Sequence, residues 1–181
     1  MTANNTSPDE LERLALESYR AGCFEESIER YSAARKLYLD KQNLSKAAEI
    51  ANNLCVVMLA AKQLQAALDA VRDTPEFFVS QGDELHAAQA YGNLASALEA
   101  CDQISAAEEA YRQAVGLFEK LGDSDNYSST LQALSRLQLR QGNPLGALST
   151  MQGGLETMPK PRMRDRVLRQ LLKWPFRLLG R

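Results

Sequence analysis

An all-α solenoid of four helical hairpins followed by a C-terminal capping helix is the fold this sequence predicts, on three observations. Only six of the 181 residues are proline and ten glycine, while Ala, Leu, Glu, Gln and Arg, which lose little side-chain freedom in a helix, dominate. One set of residue columns recurs every forty positions without a gap. Turn residues fall between the recurring segments where helical hairpins need them.

The elements follow in order. Residues 1–7 are expected to form a flexible N-terminus, and Ser7-Pro8-Asp9-Glu10 opens the first helix, with serine as cap and proline in the first turn. Leu14, Leu54, Leu94 and Leu134 coincide at the forty-residue spacing, each followed by a small residue: Ala15, Cys55, Ala95 and Ser135. A leucine beside a small residue lets one helix approach its partner closely, and Leu94 is expected to sit in the tightest column. The reciprocal face comes later in each repeat. It consists of the small column Ser27, Ala67, Ala107 and Ala147, the bulky column Tyr31, Val71, Tyr111 and Met151, and then Ala34, Thr74, Ala114 and Gly154. Turns are placed within repeats at Gly22-Cys23, Lys62-Gln63, Cys101-Asp102 and Gly142-Asn143-Pro144, and between repeats at 40–43, 80–83 and 121–123. Four repeats therefore run over 8–47, 48–87, 88–127 and 128–159, giving eight repeat helices. Gly153-Gly154 reads as a loosened stretch of the last one.

Several function classes find no residues to support them. His86 is the single histidine, so nucleophilic triads and histidine metal sites have little to build on; it is expected to face solvent or pack in a hairpin. No glycine-rich phosphate loop occurs, no catalytic residue is assigned, and no cofactor is implied. Cys23, Cys55 and Cys101 lack metal or disulfide spacing and suit reduced thiols in the cytoplasm. Cys55 is expected in the core and Cys23 at an exposed turn. No run has the length of a membrane span, and the first residues do not resemble a signal peptide.

The order leucine–small, then Ala–xxx–aromatic, then Ala resembles the tetratricopeptide repeat, counted from Pro8, Ala48, Ala88 and Ser128, with Pro159 where that repeat ends in proline. The usual tryptophan place instead holds Leu11, Ala51, Tyr91 and Leu131. The forty-residue period, with Tyr91-Gly92-Asn93-Leu94-Ala95 and Leu121-Gly122-Asp123, is similar to the repeats of G-protein-signalling modulators and kinesin light chains. The resemblance implies a right-handed superhelix whose first helices line a concave, partner-binding groove. It places Asn52, Asn53, Gln89, Asn93, Ser96, Gln132, Arg136 and Arg140 on that groove. Asn53 and Asn93 share a column, and an amide carries both a donor and an acceptor for a peptide backbone. The other role open to such an asparagine is to hydrate the groove or to bond a neighbouring helix. The carboxylate clamp of chaperone-binding members is not matched, because its places hold Glu12, Leu16, Asn53, Gln89 and Asn93.

Residues 160–181 depart from the repeat. They carry eight Lys and Arg against Asp165, or +7, leaving −9 for residues 1–159. Met163, Val167, Leu168, Leu171 and Leu172 fall on one helical face, which is expected to cap the last hairpin. Arg169 and Lys173 on the rest of that helix, with Trp174, Phe176 and Arg177 beyond it, form a basic-aromatic surface suited to an anionic membrane or to a partner's groove. Nucleic acid is disfavoured, because the acidic body repels phosphate. The resemblance implies a scaffold for a protein or peptide partner, with tail-mediated peripheral membrane docking or complex assembly as the alternative. Oligomeric state is not encoded in these patterns.

Overall fold

The computed structural model describes residues 6–157, and these form nine α-helices without a strand. Helices α1 (Pro8–Arg20) and α2 (Phe24–Asp40) make the first hairpin. The second hairpin is α3 (Leu44–Ala60) with α4 (Leu64–Val71) and α5 (Thr74–Ser80); the third is α6 (Glu84–Ala100) with α7 (Ile104–Leu121); the fourth is α8 (Ser124–Arg140) with α9 (Pro144–Thr157). Later hairpins begin at Leu44, Glu84 and Ser124, ahead of the repeat bounds at 48, 88 and 128, because the column count starts from Pro8 in a shorter first helix. Ser7 accepts the Glu10 amide at 3.2 Å and caps α1. No described helix is long and apolar enough to cross a membrane.

Six connections between helices and the closing turn of the last hairpin share one geometry. A left-handed residue recurs every twenty positions: Gly22, Gln42, Lys62, Gly82, Asp102, Gly122 and Gly142, with φ from 57 to 78°. The next amide reaches back to the carbonyl five residues earlier, from Cys23 to Ser18 through Asn143 to Gln138, at 2.8–3.0 Å. This Schellman closure satisfies carbonyls that the helix end leaves open. The same residue then begins the following helix. The side chains of Asn43, Asp83, Asp123 and Asn143 each accept the amide three residues on, at 2.9–3.2 Å. At Gln42, Lys62 and Asp102 a Cβ crowds the left-handed backbone, which glycine avoids.

Packing follows the small columns. Ala15, Cys55 and Ala95 are wholly buried and Ser135 is 2% exposed. Leu54 and Leu134 are buried, but Leu14 and Leu94 are only half-buried, which corrects the expectation for Leu94. The tightest line runs through the small residue after each leucine, because the shortest side chain decides how closely two helices approach. Serine hydroxyls lock the two outer hairpins in mirror fashion. Ser27 donates to the Ala15 carbonyl at 2.8 Å, and Ser135 donates to the Ala147 carbonyl at 3.1 Å. Buried clusters continue from Ala15, Tyr31 and Ile50 to Leu68, Tyr111 and Leu137, so the core runs the length of the array.

Two local expectations change. The second repeat's second helix is interrupted between α4 and α5, because Pro75 cannot donate a backbone hydrogen bond. The Val71 carbonyl instead accepts the Thr74 hydroxyl at 2.9 Å. Gly153-Gly154 does not loosen α9, which continues to Thr157. A Cβ on Gly154 would lie 3.0 Å from Leu131 Cδ1, so this glycine permits a close approach. The predicted capping helix over 163–173 lies outside the described residues.

Two measurements check this packing. Leu134→Ala should cost ~2–5 kcal/mol by urea unfolding, because a buried leucine leaves a cavity, and Leu94→Ala should cost clearly less. Lys62→Gly should raise stability by ~0.5–1 kcal/mol, since relief of the left-handed strain exceeds the added chain entropy. A destabilised Lys62→Gly protein would contradict the turn geometry.

Candidate partner-binding groove

Residues of α3, α6, α7 and α8 line a half-open cavity of about 380 Å³: Glu49, Asn52, Asn53, His86, Gln89, Gly92, Asn93, Phe118 and Asn126. Four sequence-predicted residues meet there: Asn52, Asn53, Gln89 and Asn93. Asn53 and Asn93 are half-buried, and their side-chain amides make no hydrogen bond among the described residues. Gln89 is exposed at the rim. Asn52 is 6% exposed, and its Oδ1 accepts the Thr74 hydroxyl at 2.9 Å. The Pro75 interruption thus supplies the hydroxyl that fixes the cavity wall. Beneath Asn93, the Cys55 thiol lies 3.7 Å from its backbone carbonyl. Burial pushes that thiol up to about 12, leaving it protonated and inert at neutral pH.

His86 sits at the cavity edge. Its ring stacks on Phe78 with centroids 5.2 Å apart, and its Nδ1 lies 2.7 Å from Asp83 Oδ2. Half-buried, it packs across the connection between the second and third hairpins rather than within one hairpin. Burial pushes the Asp83 carboxyl up, but the His86 backbone amide and ring, both bound to it, outweigh burial and hold it below its ordinary range. Lys46, His86 and Asn126 form a column at the forty-residue period, each with its amide capped by the residue three before. That spacing was available as a signal for His86 and Asn126. Phe118 comes from a second helix and carried no such signal.

The other predicted residues lie farther along the first helices. Ser96 donates to the Gly92 carbonyl at 3.0 Å and lies 3.3 Å from the Tyr111 hydroxyl. Tyr111 donates to Glu99 at 3.1 Å, and Glu99 accepts Arg140 at 2.6 Å. Burial pushes the Tyr111 phenol up to about 12, with Ser96 opposing and Glu99 adding to the rise, so it remains a donor. This relay ties the third repeat to the fourth and engages Arg140. Gln132 and Arg136 are exposed nearby, outside the cavity. The tail residues Arg169, Lys173, Trp174, Phe176 and Arg177 lie outside the described residues. Among the described residues no three His, Cys, Asp or Glu converge as metal ligands.

Residues 86–160 match the tetratricopeptide repeat. No curated protein matches the chain. The fold is similar to a putative kinesin light chain from Podospora anserina with nearly identical tetratricopeptide-like repeats, at 15% identity and a TM-score of 0.77, over 95% of this chain and 86% of that one. It is also similar to BtubC (BKLC) from P. vanneervenii, at 20% identity and a TM-score of 0.76, over 89% and 71%. MamA from Desulfovibrio magneticus RS-1 aligns at 18% identity and a TM-score of 0.67, over 84% and 76%. These likenesses establish the superhelical all-α repeat fold.

The Asp83 cap generates a pH prediction. A carboxyl held below its ordinary value stabilises the fold fully above the unfolded value of about 3.9, and that contribution is lost as pH falls through the depressed value. Asp83→Asn keeps a capping oxygen but removes the charge. Urea unfolding between pH ~4 and ~2 should therefore show a shallower loss of stability in the variant than in the wild type. Equal slopes would remove Asp83 from the account.

Proposed function

We propose that this tetratricopeptide-type repeat solenoid is a non-catalytic scaffold that holds an extended peptide or protein segment along α1, α3, α6 and α8. The observation that carries this reading is the pair Asn53 and Asn93. They occupy the same place in adjacent repeats, line one cavity, and make no side-chain hydrogen bond among the described residues. A primary amide donates and accepts at once, so two of them in register match the alternating donors and acceptors of an extended backbone. The grip is then indifferent to the partner's side chains. Gln89 at the rim and Ser96, Gln132 and Arg136 farther along extend the contact, while Arg140 contributes through its Glu99 pair. Asn52 acts as cavity wall, held by Thr74. Three free cysteines, Cys23 exposed and Cys55 buried among them, suit a reducing compartment such as the cytoplasm.

Affinity capture from the native host with intact protein, followed by titration of the captured partner, tests the grip. Replacing both Asn53 and Asn93 with Ala removes up to four hydrogen bonds worth ~0.5–1.5 kcal/mol each, so affinity should fall ten-fold or more. Unfolding free energy should move by less than ~0.5 kcal/mol, as at a surface site. Undiminished affinity in the double variant would end the asparagine reading. A lowered melting temperature would mean that the two amides serve helix packing instead.

A further inference from the structure

Three groups beside the Asn53–Asn93 pair have fixed orientations. Asn52 is 6% exposed, and Thr74 holds its Oδ1 at 2.9 Å, which leaves Nδ2 with no partner among the described residues. Arg35 Nε is the unbonded side-chain atom sealed from solvent among them, so Asn52 Nδ2 opens onto the cavity it lines. Asn126 is held the other way round. Its Nδ2 donates to Asp123 Oδ2 at 2.7 Å, leaving Oδ1 free to accept. His86 gives its Nδ1–H to the Asp83 carboxylate at 2.7 Å, so the neutral ring presents Nε2 as an acceptor. One donor and two acceptors are thus set in advance.

Charge in the cavity is already balanced. Glu49 pairs with Lys46 at 2.6 Å, and among the described residues neither lysine nor arginine lines the space. An entering carboxylate or ammonium would shed water without finding an opposite charge to take. An apolar group would leave the oriented donor and acceptors unbonded. A primary carboxamide supplies one acceptor and two donors on an uncharged planar head, the complement of this set. Gly92 shows where such a head finds room. It lies inside α6, where glycine weakens a helix, and the equivalent places one repeat away hold Asn52 and Gln132. A Cβ on Gly92 would meet nothing within 4 Å, so no described neighbour requires the glycine, in contrast to Gly154. Gly116, inside α7, is equally open but does not line the cavity.

We propose that the cavity is a pocket for a glutamine or asparagine side chain projected by the segment that Asn53 and Asn93 hold. Asn52 donates to its carboxamide oxygen, Asn126 and His86 accept from its nitrogen, and Gly92 leaves it space. The pocket adds a sequence preference to a grip that is otherwise indifferent to side chains. The proposal rests on the groove reading above, and its test separates the two.

Alanine pentapeptides with Gln, Glu, Lys or Leu at the centre, acetylated and N-methylamidated so that no other primary amide competes, provide the probes. They are titrated by nuclear magnetic resonance into the ¹⁵N-labelled intact chain at pH ~8, where an ordinary imidazole is neutral. The glutamine peptide should bind at least ten-fold more tightly than the other three. Gly92→Gln fills the pocket from its own wall. It should weaken the glutamine peptide ten-fold or more while the melting temperature rises, as a helical glycine is replaced. Gly116→Gln should raise the melting temperature likewise and leave affinity as it was. Should Gly92→Gln fail to fold, Gly92→Ala carries the test alone. Equal affinities for the four peptides, no saturable shift with any of them, or an undiminished glutamine preference in the Gly92 variant each overturns the pocket. N-acetylglutamine methylamide binding as tightly as the pentapeptide would assign the cavity to a free amide and overturn the side-chain reading. Affinity for the glutamine peptide unmoved by replacing Asn53 and Asn93 would sink the grip and spare the pocket. Four peptides bound equally, and all weakened by that double variant, would do the reverse.

Discussion

Close approach along Ala15, Cys55, Ala95 and Ser135 is the constraint on which the array depends. Wherever a side chain larger than a thiol occupied that line, the two helices of a hairpin would part and the reciprocal small column would lose its contact. The turns make the line possible. A left-handed residue every twenty positions reverses the chain after equal lengths of helix, so each small residue returns opposite the same partner column. Schellman closures and side-chain caps then satisfy the backbone groups that so many helix ends expose.

The groove inherits its order from that packing. Because Cys55 is small and buried, α6 comes near enough for the Asn93 carbonyl to lie against the thiol, which places the Asn93 side chain over the cavity. The Pro75 interruption works in the same direction. It breaks one helix, frees the Val71 carbonyl, and brings in a threonine hydroxyl that binds both that carbonyl and Asn52. The groove amides thus stand on elements whose positions the core has already decided. Farther along, the Ser96–Tyr111–Glu99–Arg140 relay links adjacent repeats and keeps that end of the groove polar.

Much of the fold was legible because periodic columns record burial directly. Small residues at 15, 55, 95 and 135 and the glycines at 22, 82, 122 and 142 mark core and turns without any knowledge of tertiary contacts. The turns at Gln42, Lys62 and Asp102 were legible, but not their left-handed conformation, since the repeat places a turn without saying which backbone region closes it. Leu94 misled for a related reason: its column is apolar throughout, yet two of its four members are half-buried. In the groove, Asn53 and Asn93 could be read from their shared column. Phe118 could not, because its place depends on how a second helix leans against a first.

The most direct test of the central claim, that the face built by the first helices is the binding surface, is nuclear magnetic resonance of the ¹⁵N-labelled intact chain. The side-chain amide signals of Asn53 and Asn93 would be followed as the captured partner segment is added. The account predicts that these two signals, with those of Gln89 and Asn126, shift most. Shifts concentrated on α2, α4 and α7, with the Asn53 and Asn93 amides unmoved, would contradict it.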